Sequence, residues 1–339
     1  MKFFNIKILF LGIAVFGILA FSKIYFTPVY FEIPKGWPKP HYDFSKNPLS
    51  EEGFQLGRKL FYDPILSRDN TISCASCHLQ QTGFTHVDHQ LSHGIDGKIG
   101  DRNSLTLQNL AWTKNFMWDG GVNHLDVQPI QPITSKVEMD ETIENVVLKL
   151  QKSDNYPTLF QNAFGTKKIT GQLMLKALSQ FVVSLTSFNS KYDKVMRKEE
   201  NFTPMEQNGY FLFKQNCASC HQEPLFANDK FEYNGLEIDP TLNDSGRMKI
   251  TQNLSDSLKF KVPTLRNVQF TFPYMHDGRF KTLNDVVIHY NTLKENKMLP
   301  KELAKSMHLS DNERTDLIAF LKTLTDKAFL FNARFSYPK

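Results

Sequence analysis

The chain has 339 residues, 41% of them hydrophobic, 22% charged and 29 of them phenylalanine, a composition that fits a packed globular protein and excludes an intrinsically disordered one. The length allows two domains with a buried core in each. The net charge of +5 is spread thinly, with no Lys/Arg block and no nucleic-acid-binding motif, so nucleic acid is set aside as a partner.

The amino terminus runs Met1-Lys-Phe-Phe-Asn-Ile-Lys7, followed by an apolar run from Ile8 to Phe21 that Ser22-Lys23 closes. A basic start before an apolar stretch is the pattern of an export signal. Counted from Phe3 to Phe26 the segment reaches membrane-spanning length, and no small-x-small cleavage site follows. Residues 1–26 are therefore expected to be a signal peptide or an anchor helix in the inner membrane. Either form sends the remainder across, and residues 27–48 read as a linker.

Export bears on the cysteines, because an oxidising compartment normally pairs them as disulfides. All four fall instead in two copies of one element, "SCASCHLQ" from Ser73 and "NCASCHQE" from Asn216. Cys-x-x-Cys serves redox dithiols, zinc sites and covalent attachment of c-type haem, and the last alone requires histidine directly after the second cysteine. Two sulfurs on one helical turn reach both vinyl groups of a porphyrin, and the adjacent imidazole lies under the iron. A four-thiolate zinc site is the main alternative; it leaves both histidines without a role, and the gap of 143 residues far exceeds ribbon spacings. Cys74, Cys77 and His78 are expected to hold one haem, and Cys217, Cys220 and His221 the other.

The halves repeat beyond these elements. "TLQNLAWTKNFMWDGGVNHL" from Thr106 aligns without a gap on "TLRNVQFTFPYMHDGRFKTL" from Thr264, at an offset of 158. "FVVSLTSF" from Phe181 and "FLKTLTDK" from Phe320 repeat at an offset of 139. "ITGQLMLKALSQFVVSLTSF" carries a wide apolar helical stripe, and Ser310 is a plausible N-cap for "DNERTDLIAFLKTL". No alternating strand of useful length is present, while Gly, Pro, Asp and Asn cluster at Gly94 to Asn103 and Gly235 to Gly246, as loops at haem edges would. The expected fold is all-α: two tandem cytochrome c-like haem domains with long loops, residues 49–200 and 201–339, behind the amino-terminal helix.

In these residues the chain resembles the bacterial di-haem cytochrome c peroxidase family, including its methylamine-utilisation branch, MauG. The likeness runs from about Leu56 to Thr325 through "LGRKLFYDPILS", "SCASCH", "GDRNSLTLQN", "FMWDGG", "KVEM", "CASCH" and "VPTLRNV", then "PYMHDGRF". It implies that hydrogen peroxide is reduced to water at the amino-terminal haem. Electrons would come through the carboxy-terminal haem from a small periplasmic donor, a cytochrome c or copper protein, and a homodimer is a further expectation.

The resemblance also implies roles for single residues. Peroxide cleavage needs an acid-base group, and Glu138 matches the family's glutamate; without the match it reads as a surface carboxylate. Gln128 and Pro132 match distal residues of the methylamine-utilisation branch, Gln128 as a hydrogen-bonding partner of peroxide. Trp118 matches the tryptophan between the haems and otherwise reads, like Trp112, as a core aromatic. His93 sits where inactive resting forms keep a removable iron ligand, although His86, His89 and His93 crowd one polar loop where a histidine is usually just solvated. Tyr290 stands where many members place a methionine as sixth ligand of the second haem, and the offset of 158 also maps Pro132 onto it; Met275 is the alternative. Phenolate ligation would lower that haem's potential relative to methionine. Asn103, with the carbonyls of Lys261 and Pro263, matches an inter-haem calcium site. The competing functions are a non-catalytic di-haem electron-transfer cytochrome and a MauG-like enzyme that oxidises a protein partner.

Overall fold

The computed structural model describes residues 26–303 and 306–338. Twelve helices are found among them: α1 (Glu51–Tyr62), α2 (Cys74–Cys77), α3 (Ile130–Thr134), α4 (Ile143–Lys152), α5 (Tyr156–Phe164), α6 (Gly171–Val183), α7 (Lys191–Met196), α8 (Pro204–Asn216), α9 (Met248–Thr251), α10 (Leu283–Asn291), α11 (Asp311–Lys322) and α12 (Lys327–Leu330). Regular sheet among the described residues is one antiparallel pair, Phe231–Glu232 on Phe260–Lys261. Caps set the helix boundaries. Ser50 accepts from the Gly53 amide at 3.0 Å to start α1, and Ser310 with Glu313 forms the capping box of α11.

Each half is built on one crossing of an early helix over a late one, and a glycine sits at the contact. A Cβ at Gly57 of α1 would lie 1.9 Å from the carbonyl oxygen of Ala177 in α6, and one at Gly209 of α8 would lie 1.9 Å from that of Asp316 in α11. Only glycine permits backbones to approach that closely. Around the first crossing pack Phe54, Leu60, Phe61, Phe84, Phe160 and Phe181; around the second, Phe213, Phe226, Leu317, Phe320 and Leu324.

Two stretches depart from the division expected from sequence. Residues 27–48, read as a linker, lie on the first core through Phe31, Trp37, Tyr42 and Phe44, and Trp112 donates its indole N–H to the Pro38 carbonyl at 2.7 Å. The carboxy-terminal tail leaves the second half and returns to the first core through Phe329, Leu330 and Phe335. There Arg334 pairs with Glu51 and Tyr62 donates to the Phe335 carbonyl at 2.8 Å. Aromatic side chains in a polar-looking stretch find burial wherever a core has an open flank.

The internal repeat is visible in the backbone. Asn109 and Asn267 both adopt left-handed φ (58° and 57°), as do Met117 and Met275 (67° and 75°). Isolated bridges pair Phe116 with Val122 and Tyr274 with Phe280. The repeats also meet at equivalent positions: Gln108 donates to the Arg266 carbonyl at 2.6 Å, and Asn267 donates to the Gln108 side-chain oxygen. Asn109 accepts from the Ser187 amide at 2.9 Å, and Asn267 accepts in the same way from the Asp326 amide at 2.7 Å. No helix among the described residues is long and apolar enough to cross a membrane. The expected signal or anchor falls, save for Phe26, outside the described residues.

Candidate functional site

The first Cys-Ala-Ser-Cys-His element forms α2, one turn started by Ser73 and Ser76, while the second begins at the last turn of α8. In both, the histidine amide donates to the carbonyl of the first cysteine at 2.9 Å. All four cysteines are unbridged and half-buried. Burial pushes the thiols of Cys74 and Cys217 up to about 12 and that of Cys77 to about 11, so they are neutral. They do not converge: among the described residues no metal-sized cluster contains a cysteine. That removes the four-thiolate zinc arrangement.

Each histidine is oriented from behind. His78 Nδ1 lies 2.7 Å from the Phe84 carbonyl, and the Leu105 carbonyl also faces the ring. His221 Nδ1 lies 3.2 Å from the Phe226 carbonyl and 3.1 Å from that of Pro263. Because a carbonyl can only accept, Nδ1 carries the proton and the Nε2 lone pair is left for a metal. Burial keeps both rings neutral, holding His221 down at about 4 and His78 below its ordinary value. Phe84 and Phe226 reach these contacts through left-handed φ of 60° and 52°.

Two cavities open on these histidines. The first, about 450 Å³, is lined by Cys77, His78, Met117, Trp118, Gln128, Pro132 and Glu138. The second, about 210 Å³, is lined by Cys217, Cys220, His221, Trp118, Met275 and Tyr290. They share a wall made of residues 103–106, the equivalent residues 261–264, and Trp118. Trp118 donates its indole N–H to the Asn103 carbonyl at 2.8 Å, and the Lys261 amide donates to the Trp118 carbonyl at 2.7 Å.

Within the first cavity Glu138 is half-buried. Burial, with the negative Asp101 nearby, raises its carboxyl to about 7. The Ile95 amide donates to the Glu138 carbonyl at 2.8 Å, and Gly94 packs directly on the Glu138 backbone. Gln128 points its amide at the Met117 sulfur, 3.6 Å away. In the second cavity Asn234 does the same to Met275 at 3.3 Å, so both equivalent methionine sulfurs are already engaged. Tyr290 is carried by α10; burial first, then the nearby Cys217 and Cys220, hold its hydroxyl above the ordinary tyrosine range.

The calcium groups sit together only in part. Asn103, Lys261 and Pro263 all belong to the shared wall, but the Asn103 amide donates to the Gln90 carbonyl at 2.9 Å and the Pro263 carbonyl faces His221. His93 is not among the residues lining the first cavity. Its ring packs on His89 at 4.5 Å and on His86 at 5.2 Å, while its carbonyl accepts from the Cys77 thiol at 3.3 Å.

The di-haem cytochrome c peroxidase profile matches residues 51–201, and the cytochrome c profile matches residues 206–325. The methylamine utilization protein MauG of Methylorubrum extorquens is 34% identical over 306 residues, covering 87% of this chain and 83% of that protein. The chain belongs to the di-haem cytochrome c peroxidase family. The cytochrome c551 peroxidase of Nitrosomonas europaea is also similar to this family member, at 32% identity over 283 residues, covering 82% of this chain and 81% of the relative. A solved MauG-like protein associated with microbial copper homeostasis superposes with a TM-score of 0.82 at 31% identity, covering 91% of this chain and 99% of that one.

Members of this family carry two covalently bound haem c groups, and the residues present fit them: two pairs of cysteines with no disulfide between them, two imidazoles with Nε2 free, and one cavity at each. Three features of this di-haem protein escaped the sequence reading. Lys261, considered there for its carbonyl, puts its side chain in the shared wall, where burial pulls its ammonium down to about 8. The paired amide-to-sulfur contacts of Met117 and Met275 have no linear signal. His86, read as a solvated loop residue, is only 4% exposed.

Proposed function

We propose that this protein reduces hydrogen peroxide to water in the periplasm, consuming two electrons and two protons per O–O bond broken. The electrons are taken singly from a small donor such as a cytochrome c or copper protein. Bound haem supplies the redox-active iron; the chain supplies the proton transfers and the electron path. The observation that carries the reading is Glu138, a half-buried carboxyl raised to about 7 in the cavity onto which His78 opens. A group with that proton affinity takes a proton from one peroxide oxygen and returns it to the other near neutral pH. Gln128, held only by a long contact to sulfur, is free to turn its amide toward peroxide.

Trp118, in the wall between the cavities, serves as the relay for electrons that enter on the second-cavity side. Tyr290 is the residue assigned to hold the second iron together with His221, since α10 carries it into the cavity on which His221 opens. Asn103 with the Lys261 and Pro263 carbonyls is the assignment for calcium. His93 would have to leave His86 and His89 to reach the first iron, which argues against a permanently six-coordinate electron carrier.

The test is steady-state peroxide turnover with a reduced small cytochrome. Glu138→Gln lowers it ~10²–10⁴-fold, the usual worth of a general acid-base group; undiminished turnover removes the assignment. Tyr290 in the second cavity favours one further reading, oxidation of a protein partner's side chains as in the MauG branch. Under that reading peroxide consumption without donor depends on adding the partner protein.

A further inference from the structure

His86, His89 and His93 lie in the loop that leads to the shared wall, outside both cavities. Their rings are mutually in contact: His86 stacks on His89 at 5.3 Å, and His93 meets both edge-on at 5.2 and 4.5 Å. One ring nitrogen from each lies within 4.8 Å of those from the other two, and it is the one such group among the described residues. Apolar packing does not account for three imidazoles meeting in this way, because each ring keeps nitrogens that need partners. His86 makes the deficit explicit. It is 4% exposed, and its Nδ1 has no hydrogen-bond partner. A buried nitrogen left without a partner forfeits its hydration with nothing in return, so such a group points to a missing partner.

We propose that His86, His89 and His93 bind one divalent transition ion of the zinc or copper type, apart from the two haem irons. Three neutral imidazoles are a donor set for these ions, whereas calcium and magnesium take oxygen. His89 is exposed, so a water can complete a tetrahedral shell. Bonds of 2.0–2.1 Å place tetrahedral ligands roughly 3.3 Å apart, so the loop draws in slightly as the ion binds.

The position gives the ion something to do. The His93 carbonyl touches Cys77, and the same loop runs on through Asp101, Arg102 and Asn103 into the first cavity. An ion here fastens that loop and keeps the His93 ring off the first iron. This last consequence rests on the di-haem reading, whereas the binding itself does not.

The experiment uses the mature protein, its haem content counted by pyridine haemochrome, stripped with EDTA and titrated with Zn²⁺ by calorimetry and with Cu²⁺ by EPR. The expected result is one equivalent of Zn²⁺ per chain and a Cu²⁺ signal with nitrogen hyperfine structure. His89→Ala, at an exposed position that folding tolerates, and His86→Ala each weaken binding at least about tenfold, the lower bound for loss of even an outer-sphere partner. Absence of stoichiometric uptake, or uptake undiminished in His89→Ala, overturns the proposal. Haem content and peroxide turnover are read on the same samples, so a failure of the peroxidase reading shows separately from a failure of this site.

Discussion

Trp118 donates its indole N–H to the carbonyl oxygen of Asn103 at 2.8 Å, inside the wall that the two cavities share. The Lys261 amide holds the Trp118 backbone carbonyl from the other repeat at 2.7 Å, so the residue is tied to both halves, its ring by Asn103 and its backbone by Lys261. Trp118→Phe keeps an aromatic ring but leaves a buried carbonyl unpaired. It is expected to cost about 1 kcal/mol in chemical denaturation. Donor-driven turnover should fall, while stopped-flow mixing with peroxide still shows the first cavity reacting at its normal rate.

Gly94 is where a single methyl group would disturb the proposed acid-base residue. A Cβ there would lie 2.3 Å from the Glu138 carbonyl oxygen and 2.5 Å from its Cα, both backbone atoms that cannot rotate aside. Gly94→Ala is expected to destabilise by about 1–3 kcal/mol and to reduce turnover at unchanged haem content. Gly97→Ala is the control: it is strained by a φ of 66° but meets nothing within 4 Å, so turnover should persist. Thermal unfolding alongside kinetics separates the two.

Arg266 is wholly buried and holds Asp193 through contacts of 2.8 and 2.9 Å. Burial alone would raise the Asp193 carboxyl, but the hydrogen bonds and charge of Arg266 outweigh it and hold the group below the usual carboxylate range. Asp193→Asn leaves a buried guanidinium without a counter-charge and should cost about 3–5 kcal/mol. The sign of the pH effect follows. A carboxyl with lowered folded-state affinity stabilises the native protein above the unfolded value of 3.8 and loses that contribution as the pH falls below it. The acid limb of a stability-versus-pH curve should shrink in the variant.

Replacing Cys217 and Cys220 together by alanine should lower the pyridine haemochrome count from two per chain to one. With both haems in place, Tyr290→Phe should change the low-spin EPR signal of the second iron and raise its midpoint potential, the direction expected when a phenolate is lost. Met275→Leu should leave that signal in place. The reverse pattern transfers the ligand role to Met275.

Much of this was legible in the sequence, for identifiable reasons. Cys-x-x-Cys-His is a local element whose chemistry depends on residues one helical turn apart, so a linear string carries it. The repeat was readable because Asn109 and Asn267, or Met117 and Met275, occupy left-handed positions that constrain residue choice. Ser310 capped α11 as its capping-box pattern predicts. The rest is long-range. Nothing local says that Phe329 and Phe335 return to the first core, that the aromatic residues of 27–48 cover its flank, or that His86 is buried beneath His89. Those outcomes depend on which surfaces tertiary packing leaves open. The Lys261 side chain in the wall is of the same kind.

The central claim is that Glu138 moves the proton in peroxide cleavage, and the pH dependence of kcat/KM for peroxide tests it most directly. Burial beside Asp101 raises the carboxyl from 4.5 to about 7, so its contribution to stability declines as the pH rises through that window, while the ionised form that can accept a proton appears only toward its upper end. We predict that kcat/KM falls as the pH drops below about 7 and levels off above it, and that Glu138→Gln gives a low rate without that limb. A variant that keeps both full turnover and the same limb would contradict the account.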